Sequence, residues 1–432
     1  MKLAIIGTGI SGLSAAHYLP QSHEIDLYEK SDRIGGHTAT VELEHEGRAY
    51  AIDTGFIVYN DWTYPNFIEM LDQLGVENQP TEMSFSVRCD YNGLEYGGNN
   101  LNTLFAQRKN LLSPAFHRML RDILRFNREA IADLERGHCS AEMRLGEYLA
   151  EKGYGQEFVQ HYLLPMGCAI WSASTRRMID FPLYFFVRFF KNHGLLSVNN
   201  RPQWRVVKGG SKSYLEPLTR KFRQSIHTGC GIKAVRRQAG SVELVLDNGE
   251  LRQYDQVIFA CHSDQALALL TDATQAERES LMAIPYQANE VVLHHDETVL
   301  PQSRRAWSSW NYRLQNQMQE RAVLTYNMNI LQGIKSDTTF CVTLNATETI
   351  AEDKILGRYE YSHPVFSLES VAAAKQIKEI NGLNRTWFCG AYLGNGFHED
   401  GVLSARQVAE ALCALRENHR EGSVEKQVLA HA

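Results

Sequence analysis

The chain has 432 residues, 44% of them apolar and 22% charged, and a net charge of −6. These values exclude a disordered, collagen-like or coiled-coil chain and lead us to expect two or three domains with large buried cores. The acidic balance gives no bulk affinity for nucleic acid, which needs a basic surplus, and no stretch reaches the roughly 18 apolar residues of a membrane span.

The eight cysteines form no C-x-x-C pair. Neither a zinc ribbon nor a thioredoxin-type pair is indicated, so free thiols of a reducing compartment are expected. The apolar start, Leu3-Ala4-Ile5-Ile6, imitates a secretory leader, but glycines, Ser11 and His17 interrupt it. A cytoplasmic protein is expected.

Residues 2–6 read as a short buried strand. Gly7-Thr8-Gly9-Ile10-Ser11-Gly12 follows, then an Ala- and Leu-rich helix over 11–19 and a second strand over 24–29 that ends on Glu29. Each part of this G-x-G-x-x-G unit has a mechanical reason. Gly7 permits a tight turn, Gly9 lets the backbone approach a pyrophosphate, and Gly12 lets helix and strand pack closely. The helix start offers unpaired N–H groups to phosphates. Glu29, followed by Lys30, lies near the spacing expected for an acid that accepts ribose hydroxyls. The reading is a Rossmann-type dinucleotide site. Gly35-Gly36-His37, directly after the second strand, and the later turn Asp53-Thr54-Gly55-Phe56 suggest backbone lying against a bulkier ligand than a nicotinamide nucleotide.

Further along, residues 113–136 carry one apolar helical stripe. Helices are also expected over 141–154 and 156–164, so 76–200 reads as a mainly helical insertion. The run Phe181 to Phe190 is the most apolar local segment. It reads as a buried core helix, as the wall of a tunnel for a long apolar substrate, or, with Arg188 and Lys191 at the lipid surface, as a shallow membrane contact. Residues 226–235 read as strand-like. Residues 241–260 form a hairpin closed at Asn248-Gly249 that leads into a buried strand. Strands are expected over 290–295, 322–327 and 338–345. His294-His295-Asp296 is expected at a strand end, and His363-Pro364 in a turn, with lining of a substrate site as the alternative. Gly390-Ala391 follows an apolar strand. A helix is expected over 402–417, and 422–432 as a loose tail. No G-x-S-x-G, H-E-x-x-H, P-loop or clustered Cys/His pattern is present, and no metal site is expected.

Glu29 followed by the paired glycines, then the D-x-G turn, resembles the FAD-binding half of the flavin-containing amine oxidase and phytoene desaturase superfamily. Lys208-Gly209-Gly210-Ser211 and the stretch from Phe388 to Gly401 resemble two further segments of it. The run Gly396-Phe397-His398-Glu399-Asp400-Gly401 is closest to a bacterial subgroup of NAD/FAD-binding oxidoreductases. The resemblance implies an α/β fold: a Rossmann-type, glutathione-reductase-like FAD-binding domain with an inserted α+β substrate domain. The FAD domain is expected to be discontinuous (1–75, 201–270 and 381–420), the substrate domain to span 76–200 and 271–380, and 421–432 to be a tail. FAD is the implied cofactor. Gly7, Gly9, Ile10, Ser11, Gly12, Glu29, Lys30, Gly35, Gly36 and His37 would bind it, with Thr54, Gly55 and Phe56. So would Ile232 (against the adenine), Gly390, Ala391, Phe397, Gly401 and Val402.

Departures from the family are informative. His37 stands where an arginine is common, and Ala391 where an acid is common. The stretch Ile284 to Glu290, matching the segment that carries a flavin-facing lysine in amine oxidases, has none. The implied activity is hydride transfer from a substrate carbon to flavin N5, with oxygen or another acceptor reoxidising the flavin. Phe397 would flank the flavin, and His398 or Glu399 would move a proton, unless the acids there cap the final helix. The missing lysine and the aromatic run favour a small apolar substrate, an acyl or isoprenoid chain. Amine oxidation, a sugar-nucleotide mutase and a non-catalytic FAD scaffold are the alternatives.

Overall fold

The computed structural model describes residues 1–429, with side chains as far as Leu415. The mixed α/β fold is built on two main sheets. The first is parallel and five-stranded, in the order Ile226–His227, Glu24–Tyr28 (β2), Lys2–Ile6 (β1), Gln256–Phe259 and Thr386–Phe388. Leu3, Ala4 and Ile5 are fully buried, so β1 is an uninterrupted apolar run, as a central parallel strand covered on both faces requires. The helix α1 (Ile10–Tyr18) is buried along nearly its whole length. It packs between this sheet and the last helix, His398–Leu429.

The second sheet is seven-stranded, in the order Ile355–Pro364, Tyr286–His294, Cys341–Leu344, Leu324–Asn327, Trp310–Leu314, Phe85–Cys89 and Glu95–Gly97. All its pairings are antiparallel except that of Trp310–Leu314 with Phe85–Cys89. The hairpin at Asn248-Gly249 forms between Val242–Leu246 and Leu251–Tyr254, with Gly249 at φ +87°.

Residues 76–200 are mainly helical, and two short strands from this stretch, Phe85–Cys89 and Glu95–Gly97, join the large sheet. Three expectations need correction. His363-Pro364 is the end of a ten-residue strand, not a turn. The last helix starts at His398, not near 402, which puts Glu399, Asp400 and Gly401 in its first turn. It also runs to Leu429, so the expected tail is helical that far, and positions 430–432 lie outside the described residues.

The aromatic run forms the helix Leu183–Asn192, and Phe185, Phe186, Phe189 and Phe190 are buried in a core with Trp171. Its apolar face is turned inward, so it offers no lipid-facing surface with Arg188 and Lys191. No helix among the described residues is long and apolar enough to cross a membrane, and none of the eight cysteines is joined in a disulfide.

Candidate functional site

A cavity of about 970 Å³ opens at the carboxyl ends of the parallel strands, where ligands of open α/β sheets bind. β1 continues into Gly7 and Gly9, β2 into Glu29 and Lys30, Gln256–Phe259 into Cys261-His262, and Thr386–Phe388 into Gly390-Ala391. All of these residues line the cavity. Ile10, Ser11, Gly36, His37, Gly55, Phe56, Ile232, Phe397 and His398 line it as well.

The glycine turn is sterically specified. A Cβ on Gly12 would stand 2.0 Å from the carbonyl oxygen of Gly7, and Gly7 itself (φ +102°) lies against the carbonyl of Ala260. A Cβ on Gly9 would meet nothing within 4 Å. Gly9 caps α1 without any side-chain hydrogen bond, so the helix start faces open cavity with donors to offer. Gly36 approaches Gly9, with its Cβ position 3.1 Å from the Gly9 Cα, and Gly55 lies against the carbonyl of His37. The Glu29 carboxylate accepts hydrogen bonds from Thr8 Oγ1 (2.6 Å) and Ser31 Oγ (2.9 Å).

Six expected site residues stand behind the cavity wall instead of in it. Gly12 and Gly35 shape the turns. Gly401 allows the last helix to meet Ile10 and Ser11, because a Cβ there would lie 2.8 Å from Ile10 Cγ2. Val402 is buried beside it. Thr54 Oγ1 is bonded to the Tyr361 hydroxyl at 2.9 Å.

Glu399 is the sixth, and its placement corrects the expectation of proton transfer. It reaches away from the cavity, and its carboxylate accepts the N–H of Phe67 (2.9 Å), the N–H of Asn66 (3.2 Å) and Asn66 Nδ2 (2.6 Å). It caps helix α2 (Pro65–Gln73), not its own helix. Asp400 holds its own loop, accepting Phe397 N at 3.0 Å, and burial pushes its carboxyl up to about 6.

His398 lies flat on Phe56, with ring centroids 3.6 Å apart, and its Nε2 is 3.2 Å from Thr38 Oγ1. Burial pulls its pKa down to about 3. It is a neutral, packed ring at neutral pH, poorly matched to donating a proton.

The other end of the cavity is aromatic, with Trp171, Trp310, Tyr326, Phe366 and Phe397. The expected tunnel wall is a second row there. Phe185 stacks on Phe366 (5.1 Å) and Phe189 on Phe397 (5.3 Å), each from behind. Sequence reasoning missed Trp310 and Tyr326, which face each other from neighbouring strands (5.2 Å), and it left His262 unremarked. Only the long-range pairing of distant strands brings these residues to the cavity.

The family of flavin containing amine oxidoreductases matches residues 10–310. The chain belongs to that family. Its cofactor is FAD, and the cavity fits such a group: a large cleft at the strand ends, a helix start without a side-chain cap bond, and His37 Nε2 buried without a partner. A 15-cis-phytoene desaturase of Synechococcus elongatus is 33% identical over 104 residues, covering 21% of each chain. The matched stretch thus spans about a fifth of that relative. An L-amino acid oxidase of Cerastes cerastes is 45% identical over 47 residues, 11% of this chain and 9% of its own. Among solved structures, cyclohexylamine oxidase of Brevibacterium oxydans shares the fold (TM-score 0.66, 15% identity, 96% of this chain and 99% of that one). So does a fatty acid isomerase of P. acnes that produces CLA (TM-score 0.67, 15% identity, 95% and 98%).

Behind this family's second glycine turn, Asp53 is fully buried. Its carboxylate accepts Thr40 Oγ1 (2.6 Å), Ser211 N (2.8 Å) and Ser211 Oγ (2.8 Å), tying the turn to the Gly209-Gly210 segment. Burial outweighs these bonds and raises its pKa to about 6. The folded state therefore holds this proton more tightly than the unfolded chain, and stability falls as pH rises from about 4 to about 6. The stability difference between Asp53→Asn and the parent should shift toward the variant by up to about 3 kcal/mol across that window. Urea unfolding at several pH values measures this, and a pH-independent difference would refute it.

Proposed function

We propose that the chain is an FAD-dependent oxidoreductase that removes hydrogen from an apolar acyl or isoprenoid chain lying at the aromatic end of the cavity. The observation that carries this reading is the character of that end. Its walls are Trp171, Trp310, Tyr326, Phe366 and Phe397, and the one lysine that lines the cavity among the described residues, Lys30, sits beside Glu29 at the dinucleotide turn. Bound FAD supplies the two-electron acceptor chemistry at N5, with oxygen or another acceptor completing turnover.

The chain's own residues provide position and dryness. The Gly7–Gly12 turn and the start of α1 hold the phosphates, Glu29 the ribose, and Ile232 the adenine. Gly390 and Ala391 give close backbone approach. Phe56 and Phe397, the latter backed by Phe189, fix the walls and exclude water. His398 is assigned to positioning, as a neutral ring packed on Phe56. The domain division anticipated above belongs to this reading: residues 1–75, 201–270 and 381–420 hold the cofactor, and 76–200 and 271–380 roof it.

Amine oxidation is the second reading. The aromatic walls favour it, because such faces also hold cations. Anaerobic incubation of the FAD-loaded protein with acyl lipids, isoprenoids and amines, watching for loss of flavin colour, separates the two. Bleaching by apolar chains is expected. Bleaching by amines alone would overturn the lipid reading, and turnover that consumes no acceptor would point to an isomerase.

A further inference from the structure

His37 and His262 both adjoin the dinucleotide turn. His37 follows Gly36, which abuts Gly9, and His262 follows Ala260-Cys261, which abuts Gly7. Their ring centroids are 6.4 Å apart, and His363, from the end of the strand Ile355–Pro364, lies 5.5 Å from His37. All three rings line the cavity, and His37 Nε2 is buried with no hydrogen-bond partner. A pyrophosphate brings two negative charges to this turn. Among the described residues, no arginine lines the cavity. Arg33, in the His37 loop, donates to the backbone carbonyls of Gly36 (2.8 Å) and Thr38 (3.4 Å).

We propose that His37 and His262 bind the pyrophosphate of FAD as imidazolium ions, so that the cofactor enters together with protons taken from water. This rests on the FAD assignment and adds to it a pair of charged ligands at the turn, beside Lys30, which lines the same cavity.

The charges around the pair support it. His37 is faced by Arg33 from its own loop and by His262, His363 and His398 from three other segments. Burial first, and then these neighbours, hold it well below the usual histidine value. The Tyr361 ring packs 5.2 Å away, its hydroxyl bonded to Thr54. His262 is lowered by burial and pulled up by Asp264, and it stacks on Tyr286 at 4.2 Å. Glu29, across the turn, is held by Thr8 and Ser31. A dianion held in the cavity against the two rings reverses the balance of these fields and favours the charged form. The pyrophosphate keeps its charge across neutral pH, so the protons taken up belong to the protein.

Apoprotein titrated with FAD between pH 6 and 8.5 tests this through fluorescence quenching. Calorimetry in buffers of different ionisation enthalpy counts the protons. Uptake of about one proton or more per FAD is expected, with affinity falling about tenfold per pH unit for each proton taken up. His37→Arg, with a permanent charge, should bind FAD with a shallower pH dependence, and His37→Gln should bind more weakly with less uptake. If either variant fails to fold, His262→Gln should show the same reduced uptake. Tight, pH-independent, proton-neutral binding by the parent protein would overturn the proposal while leaving the FAD assignment standing. Failure to bind FAD at any pH would overturn both.

Discussion

A Gly9→Val variant is expected to purify folded and colourless. Gly9 has φ −69° and ψ −177°, an extended conformation that valine adopts freely. Nothing in the protein lies within 4 Å of a Cβ at this position. The cost to the fold is limited to the poorer N-cap and should not exceed about 1 kcal/mol. The added carbons project into the cavity where a pyrophosphate must touch the backbone, so FAD retention should be lost. Gly12→Ala provides the contrast. Its Cβ would sit 2.0 Å from the carbonyl oxygen of Gly7, a backbone atom that cannot swing aside. Here the fold should fail before the cofactor is tested. Absorbance of the purified proteins, with urea unfolding of the apo forms, separates the two outcomes. A yellow Gly9→Val protein would remove the phosphate role from this turn.

The two glycines also show what could be read from sequence and what could not. Gly7, Gly9, Gly12 and Glu29 were legible because a short-range pattern specifies them: strand, turn, helix and strand follow one another within thirty residues, and each glycine has its own steric reason. The hairpin at Asn248-Gly249 was legible for the same reason. The strand Ile355–Pro364 was not, because its exposure alternates irregularly and its identity comes from pairing with Tyr286–His294, about seventy residues earlier. That pairing carries His363 to the cavity. Trp310 and Tyr326 are similar cases, since nothing local distinguishes a wall aromatic from a core aromatic. For the aromatic run from Phe181 the sequence leaves core helix, tunnel wall and membrane contact open; the run is core, and its link to the site, stacking behind Phe366 and Phe397, is a tertiary contact with no signature in spacing.

Glu399 is the residue whose role changes most between sequence and structure, and a substitution there should be costly to stability, not to chemistry. The side chain is buried and serves three donors at the start of α2. That helix has Tyr64 at its cap, without a side-chain bond, and Pro65 at its first position, so its free N–H groups depend on a carboxylate from a distant part of the chain. The helix buries Phe67, Met70 and Leu71 beside α1. Loosening its first turn therefore disturbs the core under the cofactor. Glu399→Ala, which leaves these donors unpaired, should lose about 2–4 kcal/mol, measured by urea unfolding. Glu399→Gln keeps one acceptor and should lose less. Once loaded with FAD, the glutamine variant should be reduced by substrate within a factor of about two of the parent, not with the roughly 10²- to 10⁴-fold loss that follows removal of a general acid or base. Parental stability combined with a loss of that size would return Glu399 to the chemistry. Otherwise the acid two residues beyond Phe397 acts as a clamp, joining the last helix to α2 so that the Gly396–His398 segment keeps its place against the cavity.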